Sequence, residues 1–202
     1  MKKQQSGFTL IEIAIVLVII GLLLGGVLKG QAMMDNAKLK RTSNDFSGIS
    51  AAIFSYMDRY AALPGDDPNA FARWGLSAAI ASQGDGIIDG AWNANLATAE
   101  SSLVWEHLRA AGLISGAGFA MPANPFGGTF GVEDAAAGTT AIVTGSVICM
   151  NGVEGQFGEI LDIQLDDGVG NTGDVGNSSE TAPLGPSAAY VLTGSYTMCK
   201  QL

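Results

Sequence analysis

The run from Phe8 to Leu28 limits what this chain can fold into more than any other feature. It holds 21 residues and a single charge, Glu12. An apolar stretch of about 20 residues is what a helix needs to cross the hydrocarbon core of a bilayer. Lys2 and Lys3 stand just before it. The short leader is therefore expected to stay cytoplasmic and the rest of the chain to be translocated. Glu12 does not suit a plain anchor. A carboxylate at membrane depth is costly and marks a functional group whose partner has to be named.

Two ordinary explanations fall short. A secretory signal peptide has an apolar region of about 7–15 residues and a small-residue cleavage site. This run is longer, and no such site follows it closely. A plain anchor accounts for the length and leaves Glu12 unexplained. The segment Ser6-Gly7-Phe8-Thr9-Leu10-Ile11-Glu12 resembles the N-terminus of type IV prepilins and of the pseudopilins of type II secretion. Their pattern is a short basic leader ending in Gly, then Phe-Thr-Leu-Ile-Glu and a long hydrophobic helix. The resemblance implies cleavage between Gly7 and Phe8 by a prepilin peptidase, with N-methylation of Phe8. It also implies that Glu12, the fifth residue of the mature chain, pairs with the Phe8 amine of a neighbouring subunit during filament assembly. Gly21 matches the family as well. Lys29 stands where many pilins carry a Pro, which leaves Gly25, Gly26 and Gly30 as the weak points of the helix, since Gly costs about 1 kcal/mol against Ala there.

The resemblance divides the chain into a leader (1–7), a transmembrane and assembly helix (8–28), an amphipathic continuation (29–60) and a globular head (61–202). The fold class expected is α+β: a long, pilin-like N-terminal helical stem and a small C-terminal head containing an antiparallel β-sheet. Residues 29–60 contain no Pro, and Phe46, Ile49, Ile53, Tyr56 and Tyr60 recur at spacings of three and four, an amphipathic stripe that reads as core packing. Lys38, Lys40 and Arg41 fall on the wet part beyond the membrane. Pro64-Gly65-Asp66-Asp67-Pro68 ends the stem, because Pro cannot continue a helix and Asp-Asp-Pro favours turns.

All six prolines lie beyond residue 60, so the head is loop-rich. Residues 98–111 are predicted helical, with Thr98 as N-cap and Gly112 as the stop. Residues 139–150 read as a strand with a bulge at Gly145. Phe157, Ile160, Leu161 and Leu165 fit a short helix. A polar loop is expected from Asp166 to about Pro186, and then a strand or pair of strands over 188–193 and 195–200. The segments Tyr60–Asp66 and Trp105–Ile114 also resemble a group of pilin-like proteins.

Residues 61–202 carry 15 acids and three bases, Arg73, Arg109 and Lys200. So acidic a head argues against nucleic-acid binding, which wants a basic stripe. The two cysteines, Cys149 and Cys199, lie in the translocated part. An even count in an exported domain favours a disulfide between them over two free thiols. No catalytic constellation is present: no Walker loop, no H-E-x-x-H, no G-x-S-x-G, and one histidine, His107, which reads as structural. No cofactor is expected. Asp85 and Asp89 could share a calcium ion, though their spacing is not that of an EF-hand loop. Asp162, Asp166, Asp167 and Asp174 are the better calcium candidates, since some pseudopilins bind calcium in a C-terminal loop. A solvated acidic loop is the plain alternative.

These readings converge on a non-enzymatic filament subunit. Its expected partners are other pilin or pseudopilin subunits, prepilin peptidase, the inner-membrane assembly platform and, before assembly, membrane lipid. Two other classes stay open: a minor tip pilin whose head is an adhesin or ligand-binding module, and an anchored exported protein that does not polymerise.

Overall fold

The computed structural model describes residues 8–76, 83–134, 145–180 and 189–202. Its first element, α1, runs over Leu10–Tyr60 without a break at Gly25, Gly26, Lys29 or Gly30. The chain divides into two units, Met1–Lys38 and Leu39–Leu202. In the first, α1 stands alone, and every residue from Phe8 to Leu28 is exposed.

In the second unit the rest of α1 becomes one wall of a core. Leu39, Thr42, Phe46, Ile49, Ala52, Ile53 and Tyr56 are its buried residues, the three-and-four spacing that puts side chains on one face. All but Thr42 join Trp105 and Leu108 of α3 (Glu100–Ala110) and Phe130, Ile148, Met150 and Met198 of the sheet in a single cluster. Phe46 meets Phe130 edge to face with ring centroids 5.4 Å apart. Burial of such side chains stabilises by about 1.5–3 kcal/mol each.

The sheet is built from β1 (Phe130–Asp134), β2 (Ser146–Glu154), β3 (Val175–Ser179) and β4 (Ser195–Gln201). Its order is β1-β2-β4-β3, and all three pairings are antiparallel. Side chains alternate between faces along a strand. Ile148, Met150 and Met198 therefore turn to the main core, while Val147, Cys149 and Cys199 form a second cluster with Trp92. Cys149 and Cys199 lie directly opposite each other in the register and are disulfide-bonded. Two further helices complete the unit, α2 (Ala70–Trp74) and α4 (Gly155–Leu165). A long helix followed by a small antiparallel sheet is the α+β, pilin-like arrangement expected.

Several boundaries differ from expectation. α3 starts at Glu100, with Ala99 as N-cap and no side-chain cap; Thr98 lies in the preceding turn. Its end is as expected. Gly112 adopts φ 71°, and the N–H groups of Gly112 and Leu113 donate to the carbonyls of Arg109 and Leu108, the paired bonds that close a helix on a left-handed residue. Residues 139–144 of the expected strand lie outside the described residues. The irregularity in β2 falls between Met150 and Val153, not at Gly145, which precedes the strand. Residues 189–194 form no strand. The chain turns there, with the Gly194 N–H donating to the Val191 carbonyl. β3 instead lies inside the stretch expected to be a polar loop, where pairing with β4 holds it.

One glycine is dictated by the junction after α1. Gly65 has φ +94°, and a Cβ there would lie 2.6 Å from the Glu100 carbonyl oxygen and 2.9 Å from a Val104 methyl. No side chain fits where this turn crosses the start of α3.

Candidate functional site

At the N-terminal end, Thr9 immediately precedes α1 and Glu12 is the third residue of the helix. The Glu12 carboxylate accepts from the Thr9 backbone N–H and from the Thr9 hydroxyl, each at 2.8 Å. In return the Glu12 N–H donates to the Thr9 Oγ1 at 3.3 Å. This is a capping box, in which residues three apart satisfy each other's unpaired helix-end groups. The Thr-x-x-Glu spacing was readable in the sequence as a helix-start signal, and reading Glu12 only as an acid in a membrane helix missed it. Both bonded groups lie beyond the Gly7–Phe8 junction. Residues 1–7, the expected leader, lie outside the described residues. Phe8 is 85% exposed.

The junction that follows α1 is held by a buried carboxylate. Asp67 Oδ2 accepts from the Tyr56 hydroxyl at 2.8 Å and from Arg73 Nη1 at 2.7 Å, and Oδ1 accepts from the Asn69 N–H at 2.8 Å. Burial works to raise the Asp67 carboxyl, but the bonds from Arg73, Tyr56 and Asn69 outweigh it and hold it below the usual range. Burial and the same bond push the Tyr56 hydroxyl well above its ordinary value. The Arg73 guanidinium lies 4.4 Å from the Tyr60 ring centroid and 4.7 Å from that of Trp74. His107 stacks against Tyr56, and its Nδ1 accepts from the Gly65 N–H at 2.9 Å. Burial lowers His107 to about 4. A neutral, hydrogen-bonded, buried His is the structural role expected for it. Neighbouring Asp66 is equally closed off, its carboxylate taking the N–H groups of Gly84, Asp85 and Gly86.

Of the calcium candidates, the structure brings Asp162, Asp166 and Asp167 together, with ligand oxygens within 4.8 Å of one another. Asp174 contributes its backbone N–H to Asp166 Oδ2, and its carboxylate is not in the group. Each of the three already serves protein donors. Asp162 accepts from the Tyr190 hydroxyl at 2.5 Å and from the Gly168 N–H, Asp166 also from the Val175 N–H, and Asp167 from the Val169 N–H and the Thr172 hydroxyl. Burial raises the Asp162 carboxyl despite the Tyr190 bond. Calcium takes six to eight oxygens; these three carboxylates hold six between them, and each already accepts from protein N–H or O–H groups. Asp85 and Asp89 belong to no such group among the described residues; Asp85 accepts the Ile87 N–H two residues on, the short-range bond by which Asp shapes a turn.

Residues 2–28 match the family described as the prokaryotic N-terminal methylation motif. Over 62 residues the chain is 42% identical to the type II secretion system core protein G of Pseudomonas aeruginosa. That stretch is 30% of this chain and 44% of that protein, so the match spans less than half of the relative. No solved structure matches the chain.

Proposed function

We propose that the chain is a structural subunit, pilin or pseudopilin, of a type II secretion or type IV pilus-like filament. One observation carries the reading. A segment matching a methylation motif opens a helix whose first 20 residues are all exposed, while the helix's later residues belong to a closed core. An exposed apolar helix needs lipid or other helices around it, and a filament supplies each in turn. Similarity to a type II secretion core protein supports the same reading.

In this reading the chain is first a single-pass inner-membrane protein with its head in the periplasm. Prepilin peptidase cuts between Gly7 and Phe8, and the new Phe8 amine is methylated. An inner-membrane platform then passes the subunit from lipid into a filament in the periplasm or at the cell surface, where other subunits replace lipid around the helix. Packing and polar contacts between helices replace the hydrophobic drive there, because lipid is as apolar as the helix. Glu12 meets the Phe8 amine of another copy. The capping box keeps its carboxylate partly satisfied until that partner arrives.

The test is mass spectrometry of the N-terminus in protein from the native host. A chain beginning at methylated Phe8 is the expected result, and an intact Met1 leader overturns the reading. Shearing the same cells separates the alternatives: a filament subunit appears in the sheared fraction, whereas an anchored protein stays with the membrane.

A further inference from the structure

Within the second unit a groove of about 560 Å³ runs between α1 and the segments after α3. Its apolar lining includes Ile49, Leu113, Ile114 and Phe130, and Arg41 and Arg109 stand among the lining residues. Arg109 is one of only three bases against 15 acids in residues 61–202, and Arg41 of α1 adds a second cation beside it. Asp45 offsets part of this charge, 3.5 Å from Arg41. Arg109 uses Nε and Nη1 on the carbonyls of Ser115 and Gly118, which leaves Nη2 for an outside acceptor among the described residues. Trp105 also lines the groove, and its buried indole N–H finds no acceptor. Among the described residues, the chain's own polar groups leave this indole without a partner.

A second surface has the opposite character. On the outer side of α4, Ile160 and Ile163 are exposed, the latter to 60%. Gly168 packs against Ile163, which brings exposed Val169 beside them. Glu159 and Asp167, both exposed, flank this apolar strip. The strip is apolar with acidic edges; the groove is apolar with basic edges.

We propose that the groove receives the α4 face of a second copy of this chain. The inference rests on the filament reading. Two different surfaces that fit each other make a head-to-tail contact, and such a contact propagates into an open helical assembly instead of closing into a dimer. Opposite charge at the edges sets orientation and register, and apolar side chains supply the contact area. The occupant is committed by that complementarity: an acidic, isoleucine-bearing helix face, which this chain itself displays.

The experiment uses the full chain in cells that carry its assembly machinery. Ser115→Cys, at the exposed end of the groove, and Ile163→Cys are made singly and together. Assembled filaments are sheared off and oxidised, then separated without reducing agent. The double variant should give a ladder of crosslinked multimers, and neither single variant should. A charge test needs no new cysteine: Arg41→Glu and Glu159→Arg should each cut filament yield by about tenfold, and the two together should restore it. Filaments of the double cysteine variant with no ladder would overturn this contact alone, as would full yield from both charge variants. Absence of wild-type filaments would overturn the filament reading and this contact with it.

Discussion

The two halves of α1 carry similar secondary structure and opposite packing. From Phe8 to Leu28 every residue is exposed; from Leu39 to Tyr56 seven residues are buried, six of them in a shared core. Both halves are apolar enough to demand cover. The second finds it within its own chain, where β1, β2 and α3 share its core. The first finds none among the described residues. A helix is thus fixed by local hydrogen bonding, while its role is fixed by where its apolar face is satisfied. The sharpest way to break this comparison is to alter one half and read both.

The largest effect is expected from Glu12→Leu. The substitution removes the lone charge of the apolar run and half of the capping box. Insertion should persist, since the helix becomes more apolar, and the Gly7–Phe8 junction is untouched. Sheared filament yield should fall to the background of cells lacking the chain, with membrane-fraction yield unchanged. Unfolding of the head in urea, followed by the fluorescence of Trp74, Trp92 and Trp105, should not move, because all three lie in the other unit. Normal filament yield would remove Glu12 from any account of assembly.

Replacing both Cys149 and Cys199 by Ala tests the opposite half. The bridge spans a sequence separation of 50 and pins β4 to β2. Loop-closure entropy of that size puts the loss at about 4 kcal/mol of head stability. The urea midpoint should drop accordingly, whereas membrane insertion and leader cleavage should be those of the wild type. An unchanged midpoint would mean that the sheet's apolar faces hold it without the crosslink.

What the sequence made legible follows the same division. The stem was readable because one helix face repeats over many turns. α4 was readable through Phe157, Ile160, Leu161 and Leu165, and the bridge through cysteine parity. β1 was not. Its Phe-Gly-Val-Glu-Asp offers no alternation, yet all five residues are buried. Glu133 is kept there by accepting the Trp92 N–H, and Gly131 by the Trp92 carbonyl, which leaves no room for a Cβ. β3 is Val-Gly-Asn-Ser-Ser, with no strand pattern of its own, and takes its form by pairing with β4. Apolar Val191 and Leu192 suggested a strand, and both are 62% exposed on a turn. At the junction, Asp67 looked like turn chemistry. Its partners Tyr56 and Arg73 lie eleven and six residues away, and a local reading does not bring them together.

The third expectation sharpens how the head is closed onto the end of α1. His107 titrates near 4 where an unfolded His takes a proton near 6.5. Burial is the main cause, with the Arg73 charge adding to it and Asp67 opposing. Between those pH values the unfolded chain binds the extra proton, so stability is full above about 6.5 and falls as pH drops toward about 4. The loss should approach about 3 kcal/mol over that window. Protonation would also take Nδ1 from the Gly65 N–H. His107→Gln keeps an acceptor and cannot titrate, so its urea midpoint should lose this slope. Comparing the two proteins cancels Asp162, whose raised carboxyl acts in the opposite direction at lower pH. Parallel pH profiles would place the sensitivity elsewhere.

The smallest effect concerns the residue where α1 stops. Ala61 donates its N–H to the Met57 carbonyl at 2.8 Å and sits at φ 55°. A left-handed residue closing a helix with that bond is usually Gly, because a Cβ there crowds the following carbonyl by roughly 1–2 kcal/mol. Among the described residues no other non-glycine has a positive φ. The surrounding fold holds it: Tyr60 packs against Trp74 on one side, and Gly65 is bonded to His107 on the other. Ala61→Gly relieves the crowding and gives the unfolded chain more freedom, a cost of about 0.5–1 kcal/mol. The net expectation is a head more stable by up to about 1 kcal/mol, read as a small rise in the urea midpoint. Filament yield should be unchanged if this residue only ends the helix. Lower yield from a more stable head would show that the fixed angle at Ala61 matters for how heads pack in the filament, and would carry the packing constraints of the second half of α1 into assembly as well.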